Sequence, residues 1–465
     1  VRLPFLNRDK DINRLKTALN SKTFSFIVIY GRRRCGKSRL LQHISGKNDL
    51  YFLADQNVKQ LQIESLSQEI AKYIKNFDQA IYPSWESLLS TLNERAIPGM
   101  CLILDEFPYL VQSSQELPSV IQKQIDLQKI NFNLIICGSS QRMMQGIVLD
   151  TGAPLYGRAD EIIKIRPMEV YWMAKALNLK SEEAIENYSV WGGVPRYWEL
   201  AKNYHLIEDA VKELIFDRNG VLHNEPLRLL LDDMRTATQA HSLLSLIANG
   251  SHKISKISKQ IGKPASSLTR PLANLIELGY VKREIPFGES LRSTKRTLYK
   301  LEDPFLMFWY KFIHPNQSIL EMDTIDGVYE HCQSVFHMHV ASIWEELARK
   351  SIVYLNIENK KWKPGSRWWG RGIDGKEMEI DVVSESFDKE QLLIGEVKWE
   401  NNSDINRINN KLLYYSENFP KKNNQKIVLA CWVKKRQLKK HKIKHIFTPQ
   451  KVLNEAHSQK IGNQK

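Results

Sequence analysis

No apolar run in the chain approaches the roughly 18 residues that a membrane-spanning helix needs, and no signal-like start is present. A cytoplasmic protein that makes no use of a membrane is therefore expected. Cysteine is sparse: Cys35, Cys101, Cys137, Cys332 and Cys431 are scattered without paired metal spacing. That usage fits a reducing compartment and excludes both a disulfide scaffold and a cysteine-built zinc module. Acid is short relative to base, with 52 Asp and Glu against 67 Lys and Arg and a formal net charge of +15. Such a balance favours a polyanionic partner. Hydrophobic residues are not lacking at 42%, beside 26% charged, so the chain is globular, and its 465 residues exceed what one core serves.

The most informative stretch is Gly31-Arg32-Arg33-Arg34-Cys35-Gly36-Lys37-Ser38, a phosphate-binding loop pattern fed by the apolar run from Phe24 to Tyr30. Glycines at both ends let the backbone curl so that N–H groups face phosphate oxygens, while the following helix, from Ser38 through Arg39 to Ile44, presents its positive end. Lys37 would reach the β- and γ-phosphates of ATP, and Ser38 would hold Mg²⁺. The second half of such a site is an apolar strand ending in acid, supplied by Cys101-Leu102-Ile103-Leu104-Asp105-Glu106. Asp105 is the expected partner of the Mg²⁺ shell, and Glu106 is placed to polarise the attacking water. A third strand, Leu134 to Gly138, runs into Ser139-Ser140. There Ser139 either senses the γ-phosphate or caps a helix.

Base is concentrated between Ser251 and Lys300, with eleven Lys and Arg against three Glu. Ile254, Ile257 and Ile261 fall at helical spacing, Gly262-Lys263-Pro264 makes a turn, and Leu268, Leu272, Leu275 and Leu278 mark a second helix. Alternating residues from Gly279 to Ile285 and from Thr297 to Leu301 then predict a hairpin, so the whole reads as a winged helix-turn-helix. Ser266, Ser267, Thr269 and Arg270 would face the major groove of DNA, with Lys282, Arg283, Arg292, Lys295 and Arg296 along the wing on phosphates. The alternative for such a unit is a protein–protein spacer. A second basic run, Lys434 to Lys442, is a further candidate for backbone contact or a solvated face.

The last third carries another constellation. Glu379 to Val383 and Leu392 to Trp399 read as neighbouring strands separated by a turn over 384–391, which lets Asp381 approach Glu396 while Lys398 shares the face of Glu396. Two carboxylates and a lysine suit metal-assisted phosphodiester hydrolysis, with Asp381 and Glu396 on Mg²⁺ or Mn²⁺ and Lys398 at the attacking water. A helix over Ala341–Arg349 offers one more acid, Glu345 or Glu346, of which Glu346 is the expected metal ligand.

In their order, these parts resemble the archaeal-type ATPase family, followed by the C-terminal domain of uncharacterised function that often accompanies it. The arginine-rich loop, Leu104-Asp105-Glu106-Phe107-Pro108-Tyr109, Gly138-Ser139-Ser140, Leu155-Tyr156-Gly157-Arg158 and Gly192-Gly193-Val194-Pro195-Arg196-Tyr197 are similar to that family's motifs. Arg367-Trp368-Trp369, Glu379-Ile380-Asp381 and Gly395-Glu396-Val397-Lys398-Trp399 resemble the fused domain, near the PD-(D/E)xK nuclease superfamily. The resemblance implies an AAA+ or STAND-like P-loop NTPase in which Arg158, of the same or a neighbouring subunit, answers the γ-phosphate. It also implies a helical lid closing over the adenine through Gly193-Val194-Pro195. Asn7, in Phe5-Leu6-Asn7-Arg8-Asp9, stands where the family usually has glycine, and Cys35 replaces a small apolar residue at a position expected to contribute backbone alone.

The resulting expectation is an α/β protein with an ATPase core over 1–165, a helical lid over 166–235, a winged helix over 236–315 and a nuclease-like α/β domain over 316–465. ATP with Mg²⁺, a second Mg²⁺ or Mn²⁺, DNA and a homo-oligomeric assembly are the expected cofactors and partners. The alternatives are a nucleotide-gated DNA-binding regulator and a signalling scaffold, each with an inactive nuclease fold.

Overall fold

The computed structural model describes residues 2–20, 24–97, 99–234, 237–290, 292, 294–420, 425–436 and 443–462. Its first sheet is built from β1 (Phe26–Tyr30), β2 (Leu50–Leu53), β3 (Cys101–Asp105), β4 (Asn133–Gly138) and β5 (Glu161–Lys164), all parallel, in the order β2-β3-β4-β1-β5. The strands at its centre are unbroken apolar runs, as a sheet covered on both faces requires. Alternation divides them: Phe26, Val28, Leu102 and Leu104 join one core, and Ile27, Ile29, Ile103 and Ile135 join another. Loop 31–36 leaves the carboxyl end of β1 and enters α1 (Lys37–Ile44), and β3 leads through Glu106 into α2 (Phe107–Ser113). Both loops therefore open at the same edge of the sheet, where open α/β sheets place ligands.

A helical segment follows, from which α3 (Pro195–Ala201) and α4 (Glu225–Asp233) approach that edge. Next come α5 (Ile254–Ile261), a turn on the left-handed Gly262, α6 (Ala265–Glu277), and an antiparallel hairpin of β6 (Val281–Glu284) and β7 (Leu298–Leu301). Apolar residues surround α7 (Pro304–Phe312), which is accordingly buried, and Asp303 caps it by accepting from the Leu306 N–H at 2.8 Å. One continuous core runs from the Ile27 face of the first sheet through Leu268 and Leu275 of α6 to Trp309 of α7 and Cys332 beyond.

The helix expected over 341–349 is the end of a much longer one, α8 (Ile325–Ser351). Behind it lies a mixed sheet of β8 (Ser366–Arg371), β9 (Glu377–Glu385), β10 (Gln391–Lys398), β11 (Lys426–Val433) and β12 (His445–Phe447), in the order β12-β11-β10-β9-β8. The β8–β9–β10 pairs are antiparallel and the β10–β11–β12 pairs parallel, with α9 (Ile405–Asn418) crossing from β10 to β11. Ser384 and Glu385, expected in a turn, extend β9 instead, because they pair with Leu393 and Leu392. The β6–β7 hairpin leans on this sheet: the Phe287 N–H donates to Arg367 O at 2.9 Å and Arg296 Nη1 to Trp369 O at 2.9 Å. All five cysteines are buried and free.

Candidate nucleotide site and the C-terminal charge cluster

Loop 31–36 is shaped by backbone constraint. Gly31 lies at φ 145°, and a Cβ there would stand 2.3 Å from Ile165 O, so no side chain fits. Gly36 and Arg34 are left-handed at φ 91° and 64°. Lys37 Nζ is buried and donates to Gly31 O at 2.9 Å and Arg32 O at 3.2 Å, so the loop's own carbonyls hold the ammonium at the phosphate position. The carbonyl of Cys35 accepts from Arg8 Nη2 at 3.1 Å, but its side chain is fully buried in the core. The Cys35 side chain thus packs into the core and leaves the loop backbone to face the site. Asn7 is left-handed at φ 48°, which explains a position suited to glycine and tolerated by asparagine.

Asp105 is fully buried at the tip of β3, and its carboxylate accepts from the Glu106 N–H at 2.9 Å and from the Tyr51 hydroxyl at 2.6 Å. Ser38 bonds to the same hydroxyl, whose pKa is pushed up by burial and then by Asp105. Tyr51 thus ties the two groups expected to serve Mg²⁺, and nothing in its alternating strand marked it beforehand. The described residues gather no group of three or more His, Cys, Asp or Glu side chains for a metal. A nucleotide-bound Mg²⁺ needs none, since one hydroxyl, one acid, water and phosphates complete its oxygen shell, and Ser38 and Asp105 fit it. Such an ion supplies charge neutralisation at the phosphate oxygens.

Glu106 sits in the left-handed region at φ 54°, and its carboxylate accepts from Ser139 Oγ at 2.8 Å and from the Ser139 N–H at 3.3 Å. Of the two roles open to Ser139, helix capping falls to its neighbour: Ser140 Oγ accepts from the Met143 N–H. Gln141, buried, then leaves the site, its N–H donating to Asp233 Oδ1 at 3.2 Å and its Nε2 to Leu278 O at 3.1 Å.

Each arginine of the loop meets a carboxylate from far along the chain. Arg32 pairs with Asp303, Arg33 with Asp232 at 2.6 Å and Arg34 with Glu225 at 2.9 Å. Arg39 points elsewhere, to Leu3 O and Glu199. It borders a cleft walled by Phe5, Met168, Pro195 and Trp198 beside Gly36, whose apolar faces suit a planar base. Gly193 allows this wall to form, since a Cβ there would stand 2.2 Å from Met168 O.

Arg158 lies three residues before β5, at the amino edge of the sheet, where Asp126 holds its Nε at 2.8 Å and its Nη2 at 2.9 Å. The length of β1, about 15 Å at roughly 3.3 Å per residue, separates it from its own phosphate loop. In this structure Arg158 is therefore remote from its own phosphate loop.

A curled loop with a buried lysine and, one strand removed on the same parallel sheet, an acid-tipped strand followed by a glutamate define a P-loop ATPase. The chain belongs to the archaeal ATPase family: the ATPase domain found predominantly in Archaea matches residues 5–200, and the archaeal and bacterial proteins of unknown function match residues 309–408. An uncharacterized protein of Methanocaldococcus jannaschii is 30% identical over 416 residues, 86% of this chain and 88% of its own length. Among solved structures, a Walker-type ATPase of Pyrococcus abyssi superposes with a TM-score of 0.50 at 19% identity, over 66% of this chain and 96% of its own, a likeness of fold.

The C-terminal constellation converges as well. Past the Gly395–Val382 pair the β9–β10 ladder opens, and Asp381 Oδ2 accepts from the Val397 N–H at 2.9 Å. Burial, then the charges of Glu396 and Glu345, push the Asp381 carboxyl up to about 7. Glu396 is 0% exposed; its Oε1 accepts from Lys398 at 2.8 Å and from Lys411 of α9, and its Oε2 has no partner. Glu346, the expected metal ligand, is taken up by Lys282 of β6 and by Arg349 at 2.6 Å. One residue earlier on the helix, Glu345 is the acid whose charge reaches Asp381. With Glu396 neutralised by two lysines and Glu346 turned to the hairpin, the set does not fit a second metal ion in this state.

At the hairpin, Lys282 is paired with Glu346 of α8 and so is not free for phosphate contact in this structure, while Arg296 donates to Trp369 O of β8 and remains exposed. Arg283, Arg292 and Lys295 stay exposed, as do Ser266, Ser267, Thr269 and Arg270 on α6. Of the second basic run, Lys434 pairs with Glu186 at 2.9 Å, and residues 437–442 lie outside the described residues.

Proposed function

We infer that the protein is an ATP-driven switch that presents a DNA-binding winged helix, residues 236–315, and a C-terminal domain of PD-(D/E)xK type, residues 316–465. Residues 1–165 form the ATPase core and 166–235 the lid. Lys37 steadies the phosphates, Ser38 and Asp105 serve Mg²⁺, and Glu106, released from Ser139, orients the attacking water. The observation that carries the reading is the direct bonding between the nucleotide edge and the basic segment. Gln141 reaches Leu278 at the end of α6, and Asp233 accepts from the Tyr280 hydroxyl at 2.7 Å just before β6. A change at Ser139 and Gln141 therefore moves the base of the winged helix, whose exposed serines, threonine and arginine suit groove and phosphate contact.

Nucleic-acid affinity measured over a salt series without nucleotide, with ADP and with a non-hydrolysable ATP analogue tests this coupling. Different affinities are expected, and identical curves would sink it.

A second reading rests on the neutralised Glu396 and the docked hairpin: a nucleotide-gated DNA-binding protein whose nuclease-type fold is inactive. Cleavage of supercoiled, linear and single-stranded DNA with Mg²⁺ or Mn²⁺, with and without ATP, separates the two. Cleavage lost in Asp381→Ala makes the C-terminal domain a nuclease. No cleavage from protein that still hydrolyses ATP selects the second reading.

A further inference from the structure

The three loop arginines differ in how tightly their pairs are sealed. Arg32 and Asp303 are 6% and 4% exposed, a closed pair whose carboxylate also caps α7. Arg34 is 35% exposed, but its partner Glu225 is 3% exposed and, among the described residues, otherwise accepts from the Tyr197 hydroxyl at 2.8 Å, so parting would strand a buried charge. Arg33 and Asp232 are 40% and 34% exposed, open to water on both sides. A pair of that kind stabilises little and exchanges partners easily. The second bond of Arg33 runs from Nη2 to the Tyr109 hydroxyl at 2.8 Å. Tyr109 lies on the turn that Glu106 begins, its N–H donating to Glu106 O at 2.9 Å. The guanidinium is thus fixed at the end of the site where Glu106 acts, which is the end of the terminal phosphate.

We propose that Arg33 is the residue that distinguishes a nucleoside triphosphate from a diphosphate, with Asp232 as the resting partner it exchanges for the third phosphate. A phosphate offers the planar fork two oxygens and more charge than one carboxylate, so the exchange runs forward when the third phosphate is present. A diphosphate, ending short of Glu106, leaves the Arg33–Asp232 pair closed. The exchange frees the carboxyl end of α4, where the next residue, Asp233, holds both Gln141 and Tyr280. The same event that reads the phosphate count therefore loosens the contact between the nucleotide edge and the hairpin. Arg32–Asp303 stays closed throughout and serves as the pivot.

The test is equilibrium binding of a non-hydrolysable ATP analogue and of ADP, each with Mg²⁺, to the full chain carrying Glu106→Gln. Asp232→Asn removes the competitor and is expected to tighten the triphosphate by about threefold, the scale of an exposed pair, with ADP unchanged. Arg33→Gln should remove most of the preference for triphosphate, by roughly tenfold, again with ADP unchanged. The double variant should behave as Arg33→Gln alone, because the competitor matters only through Arg33. Arg33→Lys keeps the charge without the fork and should fall between. Equal shifts for both nucleotides in Asp232→Asn, or a preference that survives Arg33→Gln, would overturn the proposal.

Discussion

Arg32, Arg33 and Arg34 each meet one carboxylate, whereas Asp381 meets the charges of Glu396 and Glu345 before it meets a base. Around the phosphate loop, charge is matched pair by pair, and the matching joins segments about two hundred residues apart. Between β9, β10 and α8 it is crowded, and one carboxyl holds its proton far above the usual carboxylate range. Matched charge closes a structure, while crowded charge costs stability and is retained where chemistry or ligand binding uses it.

The largest contrast is expected within the nucleotide site itself. Lys37→Ala should abolish nucleotide binding and turnover, whereas Glu106→Gln should keep binding and lose about 10²–10³-fold in turnover. Parent-like hydrolysis by Glu106→Gln would remove that residue from the chemistry. Next in size, Asp303→Ala strands the buried Arg32 guanidinium and should cost roughly 3–5 kcal/mol in denaturant unfolding. A loss under about 1 kcal/mol would show that the pair does not hold α7 to the loop.

The opposite sign is expected at the crowded cluster. The folded-state pKa of Asp381 is raised from 3.8 to about 7, so its contribution is fully favourable below about pH 4 and is lost as pH climbs through 7. Asp381→Asn should therefore stabilise the protein at pH 8, on the order of 1–3 kcal/mol, and leave it unchanged near pH 4, as followed by melting at the two pH values. Equal effects at both would mean the carboxyl is not crowded. The smallest effect belongs to the exposed pair at the far edge of the sheet: Asp126→Ala should change unfolding free energy by less than about 1 kcal/mol.

Local patterns make legible the phosphate loop, the buried strands, the two helices with their hairpin, and the strand pair that brings Asp381 to Glu396. Each is a short-range signal: a glycine spacing, a period of two, a period near 3.6. What stayed hidden depends on distant partners. Nothing near Arg32 points to Asp303, which is 271 positions away, nor does the strand of Tyr51 announce that its hydroxyl joins Ser38 to Asp105. Glu345 and Glu346 are neighbours on one helix, and the roughly 100° between successive side chains, invisible without the packing of α8, decides which one Asp381 feels. Motif order says nothing of the edge at which Arg158 stands; strand direction sets it before β5, away from the phosphate loop of its own chain.

The unbroken core that runs from Ile27 to Cys332 has a consequence for truncation. A gene shortened to the phosphate-loop sheet would keep the phosphate loop, Asp105 and Glu106, yet it would bare the Ile27 face and orphan Arg32, whose counter-charge is encoded 271 codons later. The stretch from Ile27 to Cys332 is therefore one packing unit, and a cut within it exposes core on both sides.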